Sequence, residues 1–165
     1  MKNQSEHINW VDEIVAKYAD MVFRIAFTHT KSQPNADDIF QDVFLKLCKS
    51  KVTFETDEHI KAWLIKVTVN SSRKLFTSAW NKNTTPLLHD FDLPFEEKTH
   101  DTEIIEAVKS LPLKYRTVIH LFYFEDMAIR DISKALGIKE TTIKSQLSRA
   151  RILLKTKLEG GLTYV

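Results

Sequence analysis

Glycine is scarce in this chain: three residues in 165, two of them the adjacent Gly160 and Gly161, so that Gly137 is the one internal glycine. Dinucleotide and P-loop phosphate cradles need several glycines in one short loop, because the backbone itself must approach the phosphate. No such loop exists here. Tight hairpin turns also draw on glycine, so the composition points away from sheets and toward an all-α fold. Cysteine is scarcer still, with Cys48 alone. That excludes an intramolecular disulfide and a cysteine-rich zinc site, and it fits a reducing compartment. Beside Leu47, Cys48 reads as a small packed apolar residue and not as a nucleophile. The six histidines (His7, His29, His59, His89, His100 and His120) are far apart with no metal-ligand spacing. No nucleophile–base constellation stands out, so no catalytic residue, metal site or cofactor is expected. The segment Met1–Glu6 has no apolar core, so no signal peptide is expected from it. No run approaches the roughly 18 apolar residues a membrane span needs, so membrane insertion is not expected.

Charge is plentiful and unevenly placed. The net charge is only +2, but residues 61–82 carry Lys61, Lys66, Arg73, Lys74 and Lys82 without an acid. Residues 138–158 carry six basic residues against Glu140 alone, and residues 33–60 carry six acids against three lysines. Two basic patches and an acidic one fit a polyanion partner for the former and a protein partner for the latter; solvated helix faces are the plainer reading.

Apolar spacings of three and four mark the helices. Ile8, Val11, Ile14, Val15, Tyr18, Val22, Ile25 and Ala26 define one over 8–28, followed by a polar break from Thr28 to Gln33. Pro34 suits a first helical turn, and a helix over 34–49 carries two stripes. Phe40, Val43, Phe44 and Leu47 form a core stripe; Asp38, Gln41, Asp42 and Leu45 form a polar one with an apolar residue in it, which fits a docking surface or an ordinary solvated face. A third helix over 57–80 holds Ile60, Trp63, Leu64, Val67 and Leu75. Its far end mixes Phe76 and Trp80 with cations, a composition that suits stacking on unpaired bases; Trp63 reads as core, and Trp80 fits either role. Residues 81–100, with Pro86, Pro94, four acids and no period, read as a mobile linker. The expected organisation is therefore two small helical domains, 1–80 and 101–165. In the second, Pro112 ends a helix begun near 102, and Val118–Phe124 reads as a buried helix.

The sharpest local pattern lies between Ile129 and Leu158. Ile129, Ile132, Ala135 and Leu136 form a short stripe that ends at Gly137, where a left-handed backbone costs little. Ile143, Leu147, Ala150, Leu154 and Leu158 then repeat as a longer helix. This is a helix-turn-helix pattern. At about 100° per residue, Thr141, Lys144, Ser145, Ser148 and Lys155 point largely away from the apolar stripe, with Arg149 and Arg151 at its margins. Short hydroxyls and long cations on the open face of a second helix fit the major groove; a basic αα-hairpin is the alternative.

These residues resemble the extracytoplasmic-function (ECF) sigma factors of bacterial RNA polymerase. Thr141-Thr142-Ile143-Lys144-Ser145-Gln146-Leu147-Ser148-Arg149-Ala150-Arg151 is similar to the family's recognition-helix signature T-V-K-S-R-L-x-R-A-R. Leu111-Pro112-Leu113-Lys114-Tyr115-Arg116 resembles its L-P-x-x-x-R lead-in, and Asp131-Ile132-Ser133 stands at its E-I-A. In the first half, Ala36-Asp37-Asp38-Ile39-Phe40-Gln41-Asp42-Val43-Phe44 resembles A-E-D-x-x-Q-E-V-F, and Ala62-Trp63-Leu64 with Asn70 resembles A-W-L…N. Departures occur at Lys74, Thr77, Asn81, Ala128 and Gln146. The resemblance implies a bacterial, cytoplasmic factor without enzymatic activity, cofactor or small-molecule substrate. It implies that polymerase core docks on Asp38, Gln41, Asp42 and Leu45. The −10 element would be taken as single strand by Asn70, Arg73, Lys74, Phe76 and Trp80. The −35 duplex would be read by Thr141, Lys144, Ser145, Ser148, Arg149 and Arg151. An anti-sigma factor is the further partner it implies. An independent helix-turn-helix regulator would account for residues 126–158 alone.

Overall fold

The computed structural model describes residues 3–81 and 100–162, which fold as two compact units, one within 1–86 and one within 87–165. Among the described residues all regular structure is helical. The segment read as a linker, 81–100, lies outside the described residues apart from its two end positions, which belong to helices.

The first unit packs three helices, α1 (Gln4–Thr30), α2 (Gln33–Lys49) and α3 (Asp57–Asn81). Its core takes Ile14, Val22 and Ile25 from α1, Ile39, Val43 and Leu47 from α2, and Leu64, Ile65 and Val69 from α3. Helix α1 runs further than its apolar stripe suggested, through the polar Thr28-His29-Thr30. The reason is local. The buried His29 ring bonds the Ile25 carbonyl through Nδ1 at 2.8 Å, and the Thr30 hydroxyl donates to the Ala26 carbonyl at 2.8 Å, so polar side chains are satisfied without leaving the helix. The break shrinks to Lys31, left-handed at φ 56°, and Ser32, whose hydroxyl caps α2 by accepting from the Asn35 N–H. Pro34 sits in the first turn of α2, as expected. Thr56 caps α3 by accepting from the His59 N–H at 3.1 Å. Trp63 is half-buried, edge-on to Phe54. Cys48 corrects the sequence reading: it is exposed. The buried positions of α2 are Ala36, Ile39, Val43, Phe44 and Leu47, and the next residue along turns about 100° away from Leu47.

The second unit comprises α4 (His100–Lys109), α5 (Leu113–Ile119), a π-helical turn (His120–Phe124), α6 (Ile129–Leu136) and α7 (Glu140–Leu162). Pro112 separates α4 from α5, where its missing N–H costs nothing. Arg116 reaches back from α5 to donate to the Lys109 carbonyl at 2.8 Å. The expected buried helix over 118–124 is half right. Val118 to Leu121 are buried, but the helix widens at His120, and Tyr123 and Phe124 stand 51% and 48% exposed. Inside that turn, buried His120 meets the Glu125 carboxylate at 3.1 Å.

Candidate nucleic-acid and polymerase interfaces

The turn between α6 and α7 is built on Gly137, left-handed at φ 67°. Its N–H donates to the Ser133 carbonyl at 2.9 Å, and the Ser133 hydroxyl closes the turn on the Ile138 carbonyl. Ala128, one of the departures from the family pattern, begins α6 without a side-chain cap, because a methyl group cannot accept the hydrogen bond that a serine or threonine would. Helix α7 is fixed by the burial of Ile143, Leu147 and Ala150, while Leu154 and Leu158 are only partly covered. That anchoring leaves Thr141, Lys144, Ser145, Ser148, Arg149 and Arg151 all exposed. Thr141, Lys144, Ser145, Ser148 and Arg149 turn their donors and acceptors to solvent. Arg151 is different: its Nε donates to the Tyr123 hydroxyl at 2.7 Å, and its guanidinium lies 5.7 Å and 5.6 Å from the Phe122 and Tyr123 ring centres.

In the first unit, Asp38, Gln41 and Leu45 are exposed on one face of α2, with Leu45 at 56%. Asp42 shares the stripe but is drawn toward α3. Its carboxylate accepts from the Ser71 hydroxyl at 2.9 Å and pairs with Lys46 at 2.8 Å, and Lys46 in turn donates to Ser71 at 3.2 Å. Partial burial pushes the Asp42 carboxyl upward, but the Lys46 and Ser71 hydrogen bonds and the charges of Lys46 and Lys74 outweigh it. The group is held below the usual carboxylate range. On α3, Asn70, Arg73, Lys74 and Phe76 are all exposed. At about 100° per residue Arg73 and Lys74 flank Asn70, while Phe76 lies roughly 120° round the helix, so the ring does not share the asparagine's face. The side chain of Trp80 falls outside the described residues.

Sequence reasoning missed Ser71 and the Tyr123–Arg151 contact. Both depend on residues 29 and 28 positions apart, for which a helical period carries no signal. The Asp42–Lys46 pair was legible as an i,i+4 spacing.

A three-helix unit with an acidic face beside a cationic one, and a second unit ending in a helix-turn-helix with an open cationic second helix, define a DNA-binding transcription protein. Residues 14–82 match the model of Sigma-70 region 2, and residues 101–154 match that of Sigma-70, region 4. The chain is 30% identical over 141 residues to RNA polymerase sigma factor SigV of Bacillus subtilis, covering 82% of this chain and 83% of that one. It is 27% identical to the ECF RNA polymerase sigma factor SigM of the same organism, covering 92% and 97% of the two chains. Its fold is similar to that of the sigma factor RpoE solved with the anti-sigma factor NepR from Bartonella quintana, with TM-score 0.70, 21% identity and coverage of 90% and 96%. The chain belongs to the ECF sigma factors, and it directs promoter recognition and transcription initiation with RNA polymerase core. A helix-turn-helix regulator acting without polymerase would leave the region 2 match across 14–82 without a purpose.

Proposed function

We propose a division of labour between the two units, with domains at 1–80 and 101–165 joined through 81–100. The first unit holds polymerase core on Asp38, Gln41 and Leu45, with Asp42 at the edge of that face, and takes the −10 element as single strand along Asn70, Arg73, Lys74 and Phe76, continuing toward Trp80. The second reads the −35 duplex with Thr141, Lys144, Ser145, Ser148, Arg149 and Arg151. The observation that carries this reading is α7: Ile143, Leu147 and Ala150 anchor it, and every polar residue assigned to the duplex is exposed. A helix held in this way can enter the major groove without disturbing its own core.

The chain acts by binding and positioning and leaves the chemistry of RNA synthesis to the polymerase. Its place of action is the bacterial cytoplasm, where polymerase and promoter meet. No helix of the described residues is long and apolar enough to cross a membrane. An anti-sigma factor is the expected regulator, a reading supported by the similar fold of RpoE in its complex with NepR.

Run-off transcription with core polymerase on a randomised promoter library tests the reading. The chain added to core should yield transcripts that share two sequence elements, one near −35 and one near −10. Transcripts no different from those of core alone would overturn it.

A further inference from the structure

Two arginines stand near one another on α7, and the structure treats them differently. The apolar stripe read from the sequence puts Arg149 at its margin and Lys144 and Lys155 opposite it, but measured from the residues that are in fact buried, Arg149 is exposed on the open face and Lys144 and Lys155 lie nearer the flank. With about 100° per residue, Arg149 lies roughly 50° from the direction opposite Ile143, Leu147 and Ala150, whereas Arg151 lies roughly 110° from it. Arg151 thus falls on the flank of α7, in one row with Lys144 and Lys155, at spacings of seven and four residues. On that flank it is also pinned. Phe122 and Tyr123 meet at 79° with ring centres 4.9 Å apart, forming a corner. The Arg151 guanidinium rests in reach of both rings, and its Nε donates to the Tyr123 hydroxyl at 2.7 Å.

We propose that Tyr123 is a positioning residue for duplex binding, holding Arg151 as a preformed phosphate clamp on the flank of α7 while Arg149 reads bases. The inference rests on the reading of α7 as the helix that enters the duplex. A guanidinium carries five N–H donors in a planar fork. The contact with Tyr123 uses the one on Nε and leaves the four on the two Nη nitrogens, the edge that fits two phosphate oxygens side by side. A helix lying in a groove turns the middle of its open face to the base edges and its flanks to the sugar–phosphate walls, and phosphate contacts fix register without carrying sequence information. A long side chain ordered before binding also has less freedom left to lose on binding. Tyr123 stands 51% exposed, so the hydroxyl that accepts from Arg151 Nε lies at the surface and holds the guanidinium there.

The test uses holoenzyme assembled with the full chain and, as probe, a duplex carrying the −35 element selected from a randomised pool by that holoenzyme. Equilibrium binding is followed from 50 to 200 mM KCl for the wild type, Tyr123→Phe, Arg151→Ala, the double variant, and Arg149→Ala and Lys144→Ala as controls. Arg151→Ala should weaken binding to all sequences alike and lower the salt slope by about 0.9, the value of one phosphate. Tyr123→Phe keeps both rings but loses the hydroxyl; it should weaken binding about five-fold and do nothing further once Arg151 is alanine. A merely structural role for Tyr123 would lower the melting temperature and weaken binding equally in both backgrounds, which would overturn the proposal. So would unchanged binding and slope in Tyr123→Phe and Arg151→Ala while the Arg149 and Lys144 variants lose affinity. If all four positions leave duplex binding unchanged, the reading of α7 itself fails.

Discussion

Asp42 belongs to two surfaces at once. The polar stripe of α2 places it with Asp38 and Gln41, and on that pattern alone its replacement by lysine should leave stability untouched. The bonds from Ser71 and Lys46 give it a structural part, because they tie α2 to α3. Ser71→Ala is therefore expected to destabilise the first unit by about 0.5–1 kcal/mol, at the low end for a hydrogen bond to a charged group because the site is half open to water; thermal unfolding measures it. The pH dependence follows from the lowered carboxyl. A group whose folded value lies below its unfolded one contributes stability above the unfolded value and loses it as pH falls through the folded one. Asp42→Asn should thus narrow the stability gap to wild type as the pH is taken below 4, the ordinary carboxylate region. Asp38→Lys is the cleaner probe of docking: its side chain is exposed, so core binding in a competition assay should weaken while the melting temperature holds.

At the scale of elements, the helices follow from their apolar periods, and the misjudged stretches have specific physical causes. The end of α1 was hidden because polar His29 and Thr30 read as a break, whereas each bonds a carbonyl four residues back. The π-helical turn was hidden because Val118–Phe124 is apolar or aromatic apart from His120, which is itself buried, so the sequence carries no mark of where burial stops. The α6–α7 turn was legible because one residue type answers one backbone need. Nothing lies within 4 Å of the place where a Cβ on Gly137 would stand, so Gly137→Ala carries no steric clash, only the cost of a left-handed backbone. That should be about 1 kcal/mol, seen as a lower melting temperature with the DNA sequence preference unchanged. Of the candidate site residues, the exposure of those on α7 was the most legible, since an exposed face is the complement of a buried one. Arg149→Ala should then relax base preference at one position of the −35 element, by about 1–3 kcal/mol of discrimination if the contact is bidentate to guanine, measured by binding to a panel of single-base variants.

On the scale of the whole molecule, the proposed division of labour separates duplex reading from strand separation. Asn70 carries an amide with both donors and an acceptor, and exposed Arg73 and Lys74 beside it can screen neighbouring phosphates. Unstacking one base costs a few kcal/mol, so a pocket that reads one base edge and screens the phosphates beside it can trap a spontaneous opening without melting a long tract. Permanganate footprinting of holoenzyme on a cognate promoter should show thymine reactivity in the −10 region falling for Asn70→Ala while duplex binding survives. Undiminished reactivity would remove Asn70 from promoter opening.

The exposed thiol at the end of α2 gives the proposed docking surface a built-in chemical reporter. Cys48 is the chain's one cysteine, and seven residues on from Gln41 it returns to nearly the same side of the helix as Gln41 and Leu45. Alkylation of the unmodified chain by iodoacetamide should therefore be fast in the free factor and slow once core polymerase covers α2. A small adduct introduced beforehand should be tolerated there, and a bulky one should block assembly, so the closeness of the fit can be gauged by the size of the label without changing a single codon.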